Sequence, residues 1–165
     1  HPQIFDKNYK ENDLPHESWE RIKKLENNET KIKTKNILDQ IEKNIPSILR
    51  SIKIQKKVSS LNFDWPNYKR VLLKLDEELD ELKSAINSKK ENNIEEELGD
   101  VFFTLISLCR HLSKDPDSII RKANDKFIKR FNEMENIVEE NNIKWHDLSE
   151  KQFLNLWNKA KKNIK

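Results

Sequence analysis

Residues 68–113 read YKRVLLKLDEELDELKSAINSKKENNIEEELGDVFFTLISLCRHLS, and this one stretch decides the fold. Val71, Leu75, Leu79, Leu82 and Ile86 recur at helical spacing, which predicts a helix from about Tyr68 to Asn87. Leu98, Val101, Phe102, Leu105, Cys109 and Leu112 carry a second inward stripe, predicting a helix from about Ile94 to Ser113. Between them lies only a short polar turn, so the two helices should pair antiparallel.

Upstream, Leu61–Asn67, with Phe63, Asp64, Trp65 and Pro66, reads as an ordered loop. Before it, a helix is expected to start with Pro46 as its first residue, Ile48, Leu49, Ile52 and Val58 forming its stripe. The first 45 residues are polar and weakly periodic, with a short helix expected around Ser18–Glu26 and another helical piece after it. Downstream, Asp115 and Pro116 make an N-cap and first helical residue for a third long helix to about Glu140. Ser149 and Gln152 form a capping-box pattern opening a last helix, with Phe153, Leu156, Trp157 and Ala160. The expected fold is all-α, an antiparallel helical bundle.

Composition agrees. The 165 residues include one glycine and five prolines, too few turn-formers for a many-stranded sheet. Apolar residues make up 35% and charged residues 37%, so the core must be narrow. A net charge of +3 fits an anionic small molecule or nucleic acid without separating them. Cys109 is alone, which excludes an internal disulfide and fits a reducing, cytoplasmic location. No stretch approaches the roughly 20 apolar residues of a membrane span. The chain opens on His1 rather than Met, which reads as a piece of a longer protein or a processed product.

The chemistry-bearing feature is a pair of acidic clusters on the two central helices, Glu77-Glu78-Leu79-Asp80-Glu81 and Glu95-Glu96-Glu97-Leu98-Gly99-Asp100. Glu78 and Glu81, like Glu97 and Asp100, stand three apart and therefore about 60° apart on one helix side. Glu78 falls beside Val71 and Leu82, and Glu97 beside Val101 and Leu108, at the edge of each apolar stripe. Carboxylates meeting there repel unless protonated or bridged by a cation, and hard oxygen donors select Mg²⁺. Glutamates at this spacing more often lie on solvated faces. Against that base rate stands Gly99, the sole glycine, placed inside a helix at a cost of ~1 kcal/mol relative to Ala. It points to a close helix or ligand approach between Glu97 and Asp100. A di-iron bundle would need Glu three residues before a histidine, and no Glu precedes His16, His111 or His146 that way.

On these residues the chain resembles the MazG family of all-α nucleotide pyrophosphohydrolases, whose pattern is Glu-Glu-x-x-Glu followed after a gap by Glu-x-x-Asp. Gln55-Lys56-Lys57 leading to Phe63-Asp64-Trp65-Pro66, the run Lys122–Phe131, and Trp157 with Lys161 resemble further segments of that family. The resemblance covers about residues 46–162. It implies Mg²⁺ (Mn²⁺ as a substitute) held by Glu78, Glu81, Glu97 and Asp100, with Glu96 supporting the site or helping to activate water. It implies phosphate contacts from Lys126, Arg130 and Lys161, a nucleotide pocket lined by Trp157, and further contacts from Asn124 and Trp65.

Spacing is compatible with those assignments: Lys126 and Arg130 share a helix face, as do Trp157 and Lys161. Phe127 and Phe131 read as core instead. The resemblance implies hydrolysis of nucleoside triphosphates to monophosphate and pyrophosphate by a homodimer, with no membrane role. His1-Pro2-Gln3-Ile4-Phe5, and an echo between Trp19–Lys24 and Trp157–Lys162, resemble the end of a preceding repeat. Residues 1–45 are accordingly expected to be a repeat remnant and linker, and 46–165 the catalytic domain. The competing reading is a non-enzymatic basic helical module that binds nucleic acid or a protein through Lys31, Lys33, Lys35, Lys53, Lys56 and Lys57. It leaves the paired carboxylates without a counter-ion.

Overall fold

The computed structural model describes residues 36–164, and every regular element among them is helical. The chain divides into two compact units between Lys43 and Asn44. Of the first unit the described part holds a 3₁₀ turn, Ile37–Gln40. The expected helix at Ser18–Glu26, the His1–Phe5 motif and the N-terminal half of the repeat echo lie outside the described residues.

The second unit contains α1 (Ser47–Ser59), α2 (Tyr68–Ser88), α3 (Glu91–His111), α4 (Pro116–Glu140) and α5 (Glu150–Asn163). A 3₁₀ turn, Trp145–Asp147, precedes α5. The helix starts follow local chemistry. Asn67, Asp115 and Ser149 each accept a hydrogen bond from the backbone N–H three residues on, and Ser149 with Gln152 closes a full capping box. Pro46 differs from expectation: its ψ of 137° is extended, so it caps α1 and Ser47 is the first helical residue.

The helix ends are less usual. Asn62, Lys89, Ser113 and Asn142, at or just after the ends of α1 to α4, all take left-handed backbone angles that glycine ordinarily supplies. The chain's single glycine is used at none of them.

Packing falls into two groups. α2 lies along α3 as an antiparallel pair joined only by Lys89 and Lys90, and α1 leans on α3. α5 lies along α4, where Met134, Val138, Leu156 and Ala160 form a buried cluster flanked by Trp145 and Trp157. Contact between the two groups is slight.

That arrangement corrects the expected core. Leu79, Ile86, Leu98, Phe102, Leu105 and Leu112, expected to face inward, are exposed, Phe102 by 66%. Phe127 and Phe131 are exposed as well, and so are Ile48 and Leu49 of α1. The physical reason is geometric: each of α2, α3 and α4 bears a wide apolar surface, and one neighbouring helix covers only part of it. What α2 and α3 bury against each other is a narrower seam, in which Val71, Glu78 and Ala85 recur every seven residues.

Candidate active site

Glu78 occupies the middle of that seam. It is 4% exposed, while Val71 and Ala85 on either side keep water away. From α3, Glu97 reaches the same place, half-buried, and Glu81 stands one turn beyond Glu78 at the rim. One carboxylate oxygen from each of Glu78, Glu81 and Glu97 lies within 4.8 Å of the others. Three acidic side chains thus meet where a leucine would ordinarily sit.

The electrostatics of the group are only partly balanced. Lys74, one turn before Glu78, places its Nζ 2.7 Å from Glu78 Oε1 and 3.1 Å from Glu77 Oε1. The bond to Glu78, then that to Glu77, holds the Lys74 ammonium well above its ordinary range. Glu78 Oε2 and Glu97 Oε2 are buried and have no hydrogen-bond partner. Such orphaned acceptors cost free energy unless something donates to or binds them. The Glu81 carboxyl is pushed up, first by loss of hydration and then by the charge of Glu78, with Glu97 adding to it. A cleft of about 810 Å³ opens beside the group, lined among others by Glu77, Asp80, Glu81, Ser84, Asn93 and Glu97.

The donor set fits a hard divalent cation: carboxylate oxygens at mutual distances one ion can span, on side chains of which Glu78 and Glu97 each carry a buried oxygen without a hydrogen-bond partner. Asp100 is not part of the clustered trio; it stands one turn further along α3, exposed. Glu96 is exposed beside Glu97 and outside the trio.

The basic candidates lie on the other helix group. Arg130 rests over the Trp157 ring, its Cζ 5.9 Å from the centroid. Phe127 packs on Trp157 at 5.2 Å, and Phe131, Trp145 and Phe153 continue the line of rings. Trp157 is therefore half-buried between α4 and α5 with one side under a guanidinium. Lys126, Asn124 and Lys161 are exposed. Among the described residues none of Lys126, Arg130 and Lys161 pairs with Glu78, Glu81 or Glu97. Trp65 is on the α1–α2 loop, 39% exposed.

Two features escaped the sequence reading. Lys74 could have been found from its four-residue spacing to Glu78, the register for a helical ion pair. The second is a polar network around Asp64 at the far end of α3. Arg110 donates to both Asp64 oxygens at 2.6 Å, and His111 Nε2 lies 3.0 Å from Oδ1. Nothing in local spacing links residues 46 positions apart.

Comparison with known proteins bears on the same helices. Residues 67–135 match the MazG nucleotide pyrophosphohydrolase domain, a span that includes both acidic clusters, Lys126 and Arg130. The chain is 34% identical over 164 residues to the nucleoside triphosphate pyrophosphohydrolase/pyrophosphatase MazG of Thermotoga maritima. It is 31% identical over 168 residues to the nucleoside triphosphate pyrophosphohydrolase of Escherichia coli K12. Each match takes in 98% of this chain, which spans 60% and 62% of the length of those relatives. A protein of Bacillus subtilis called YabN, itself uncharacterized, is 33% identical, and the chain spans 33% of it. The chain is thus similar to MazG pyrophosphohydrolases over nearly all of its length, and the stretch that matches the MazG domain is the one that brings the acidic helices α2 and α3 together.

Proposed function

We propose that the chain is a Mg²⁺-dependent nucleoside triphosphate pyrophosphohydrolase, a hydrolase that cleaves ribo- and deoxynucleoside triphosphates to the monophosphate and pyrophosphate. The observation that carries this reading is the Glu78, Glu81 and Glu97 trio with its two buried, partnerless oxygens. Glu78, Glu81 and Glu97 would hold the ion, with Asp100 joining from the next turn of α3. Bound there, Mg²⁺ (or Mn²⁺ in its place) supplies Lewis-acid polarisation of the phosphate oxygens.

The chain's own residues do the rest. Lys74 fixes one oxygen of Glu78 and leaves the other, buried and without a hydrogen-bond partner, for the ion. Glu96, exposed beside Glu97, takes the proton of the attacking water. Lys126, Arg130 and Lys161 neutralise charge gathering on the phosphates. Trp157 lines the nucleotide pocket, and Asn124 and Trp65 contact the nucleotide near its sugar or base.

The chain acts as a homodimer in the cytoplasm, with nucleotides rather than nucleic acid as partners. The exposed apolar faces of α2, α3 and α4 and the slight contact between the helix groups support association with a second copy. Residues 46–165 form the catalytic domain, and 1–45 a remnant of a preceding repeat with its linker.

A panel of ribo- and deoxynucleoside triphosphates, assayed with Mg²⁺ for monophosphate and pyrophosphate together, tests the reading. Equimolar monophosphate and pyrophosphate are expected. Orthophosphate with diphosphate, or salt-sensitive nucleic-acid binding without turnover, would replace it with another function.

A further inference from the structure

The cleft beside the acidic trio runs along the α2–α3 hairpin toward its turn, and its lining changes character on the way. At one end stand Glu77, Asp80, Glu81 and Glu97. One helical turn on, α2 offers Ser84 and α3 offers Asn93, neutral groups that donate hydrogen bonds. At the hairpin turn stands Lys90, the one cation among the described residues that line the cleft. Carboxylates, neutral donors and an ammonium thus follow one another along a single groove.

The two lysines nearest the trio differ in what they hold. Lys74 is engaged, its Nζ 2.7 Å from Glu78 Oε1 and 3.1 Å from Glu77 Oε1. Lys90 is exposed and makes no ion pair or side-chain hydrogen bond among the described residues. It occupies the N-cap of α3 without capping the helix through its side chain. At that end the helix dipole is positive and the first amides lack intrahelical acceptors.

A free anion is repelled at the acidic end of this cleft. An anion that reaches from an ion held by the trio to the hairpin turn meets positive charge at both of its ends. Glu97 and Lys90 stand seven residues apart, about 10 Å along α3. One phosphate on the ion falls short of that span, whereas a chain of phosphates extends toward an ammonium on a flexible four-carbon stem. We infer that Lys90 binds the terminal phosphate of the substrate and makes the cleft selective for nucleoside triphosphates over diphosphates. This rests on the reading above that the trio holds Mg²⁺ and that the chain hydrolyses nucleoside triphosphates.

The test reads turnover and binding separately. Lys90→Gln removes the ammonium, Lys90→Arg keeps a cation, and Lys114→Gln makes the same charge change at the exposed far end of α3. With Mg²⁺ and the best nucleotide of the panel, Lys90→Gln should raise KM about tenfold, as for one lost charged hydrogen bond. Its kcat should stay within about twofold, because the contact is made equally before and during reaction. Competitive inhibition by the matching nucleoside diphosphate, which lacks the phosphate concerned, should not change, while inhibition by magnesium pyrophosphate should weaken about tenfold. Lys90→Arg should keep most of the affinity and Lys114→Gln all of it. Unchanged KM in Lys90→Gln, equal weakening of diphosphate and triphosphate, or the same loss in Lys114→Gln would each overturn the inference. Titration calorimetry with magnesium pyrophosphate separates this from the hydrolase reading. A wild type that binds it, loses it in Lys90→Gln and yet turns over no nucleotide sinks the hydrolase reading alone. Absence of binding to wild type, or undiminished binding to Lys90→Gln, removes Lys90 from the site whatever the turnover.

Discussion

The two ends of α3 hold carboxylates in opposite conditions. Asp64, against the C-terminal end, is met by two hydroxyl or amide donors, a forked guanidinium and an imidazole. Glu78, Glu81 and Glu97, toward the N-terminal end, crowd within 4.8 Å with one lysine among them and two buried oxygens unmet. Both clusters hold α3 against a neighbour, yet only the first repays its desolvation with protein partners alone. The contrast teaches where a fold stabilises itself and where it tolerates a defect. A satisfied carboxylate is architecture; a crowded and unsatisfied one awaits something from solution.

The largest expected effect breaks that contrast at the acidic end. Glu97→Gln removes a charge, and with it a proposed metal ligand, without removing volume. Turnover should fall by at least ~10²-fold, since even partners that only support metal ligands matter at that level. The helical circular dichroism should survive, because the change relieves repulsion rather than unmaking the seam. Mg²⁺ should raise the thermal midpoint of wild type, with about 2.7 kcal/mol gained at a hundred times the dissociation constant. Glu97→Gln should show little of that gain. Equal stabilisation of both proteins would mean that the ion binds elsewhere.

The satisfied end should answer in the opposite way, in stability before activity. Arg110→Ala leaves Asp64 with its hydroxyl and amide donors but without its counter-charge. A loss of about 1–3 kcal/mol in denaturant unfolding is expected for bonds of this charged kind. The pH dependence follows from the sign of the Asp64 shift. Its folded-state carboxyl is depressed, so its contribution is complete above the unfolded value of about 4 and is lost as pH falls toward the folded value. Wild type should therefore lose stability steadily below about pH 4, and Asp64→Asn should show a shallower slope over the same window. A parallel slope in the two proteins would remove Asp64 from the account.

The same division explains what could be read in advance. Helix placement was legible because apolar spacing and capping chemistry are local: α4 and α5 start where Asp115 and Ser149 cap them, and α2 starts at Tyr68, where its apolar stripe opens. The trio was legible in part, because three-residue spacing sets Glu78 and Glu81 on one side of α2, and a short turn lets Glu97 come back to them. Burial was not. Periodicity says which residues share a face, but Phe102 and Phe127 show that sharing a face does not mean that the chain itself covers it. The Asp64 network was invisible for a related reason. Arg110 finds its partner through the packing of α1 and α3, and no sequence interval records that encounter.

Gly99 gives the smallest effect and the finest comparison. Inside α3, between Glu97 and Asp100, it was expected to mark a close approach, yet a Cβ built there meets nothing within 4 Å. Within one chain, then, glycine at this position carries only its helix penalty. Gly99→Ala should stabilise the protein by up to ~1 kcal/mol in thermal or denaturant unfolding, with the acidic trio untouched. The measurement belongs in two settings, dilute protein and protein saturated with Mg²⁺ and nucleotide. Stabilisation in both would show that this face of α3 stays open throughout. Stabilisation in the first and loss of association or affinity in the second would show that a second copy or the nucleotide presses against α3 one residue from Asp100. The missing side chain would then be the reason it can.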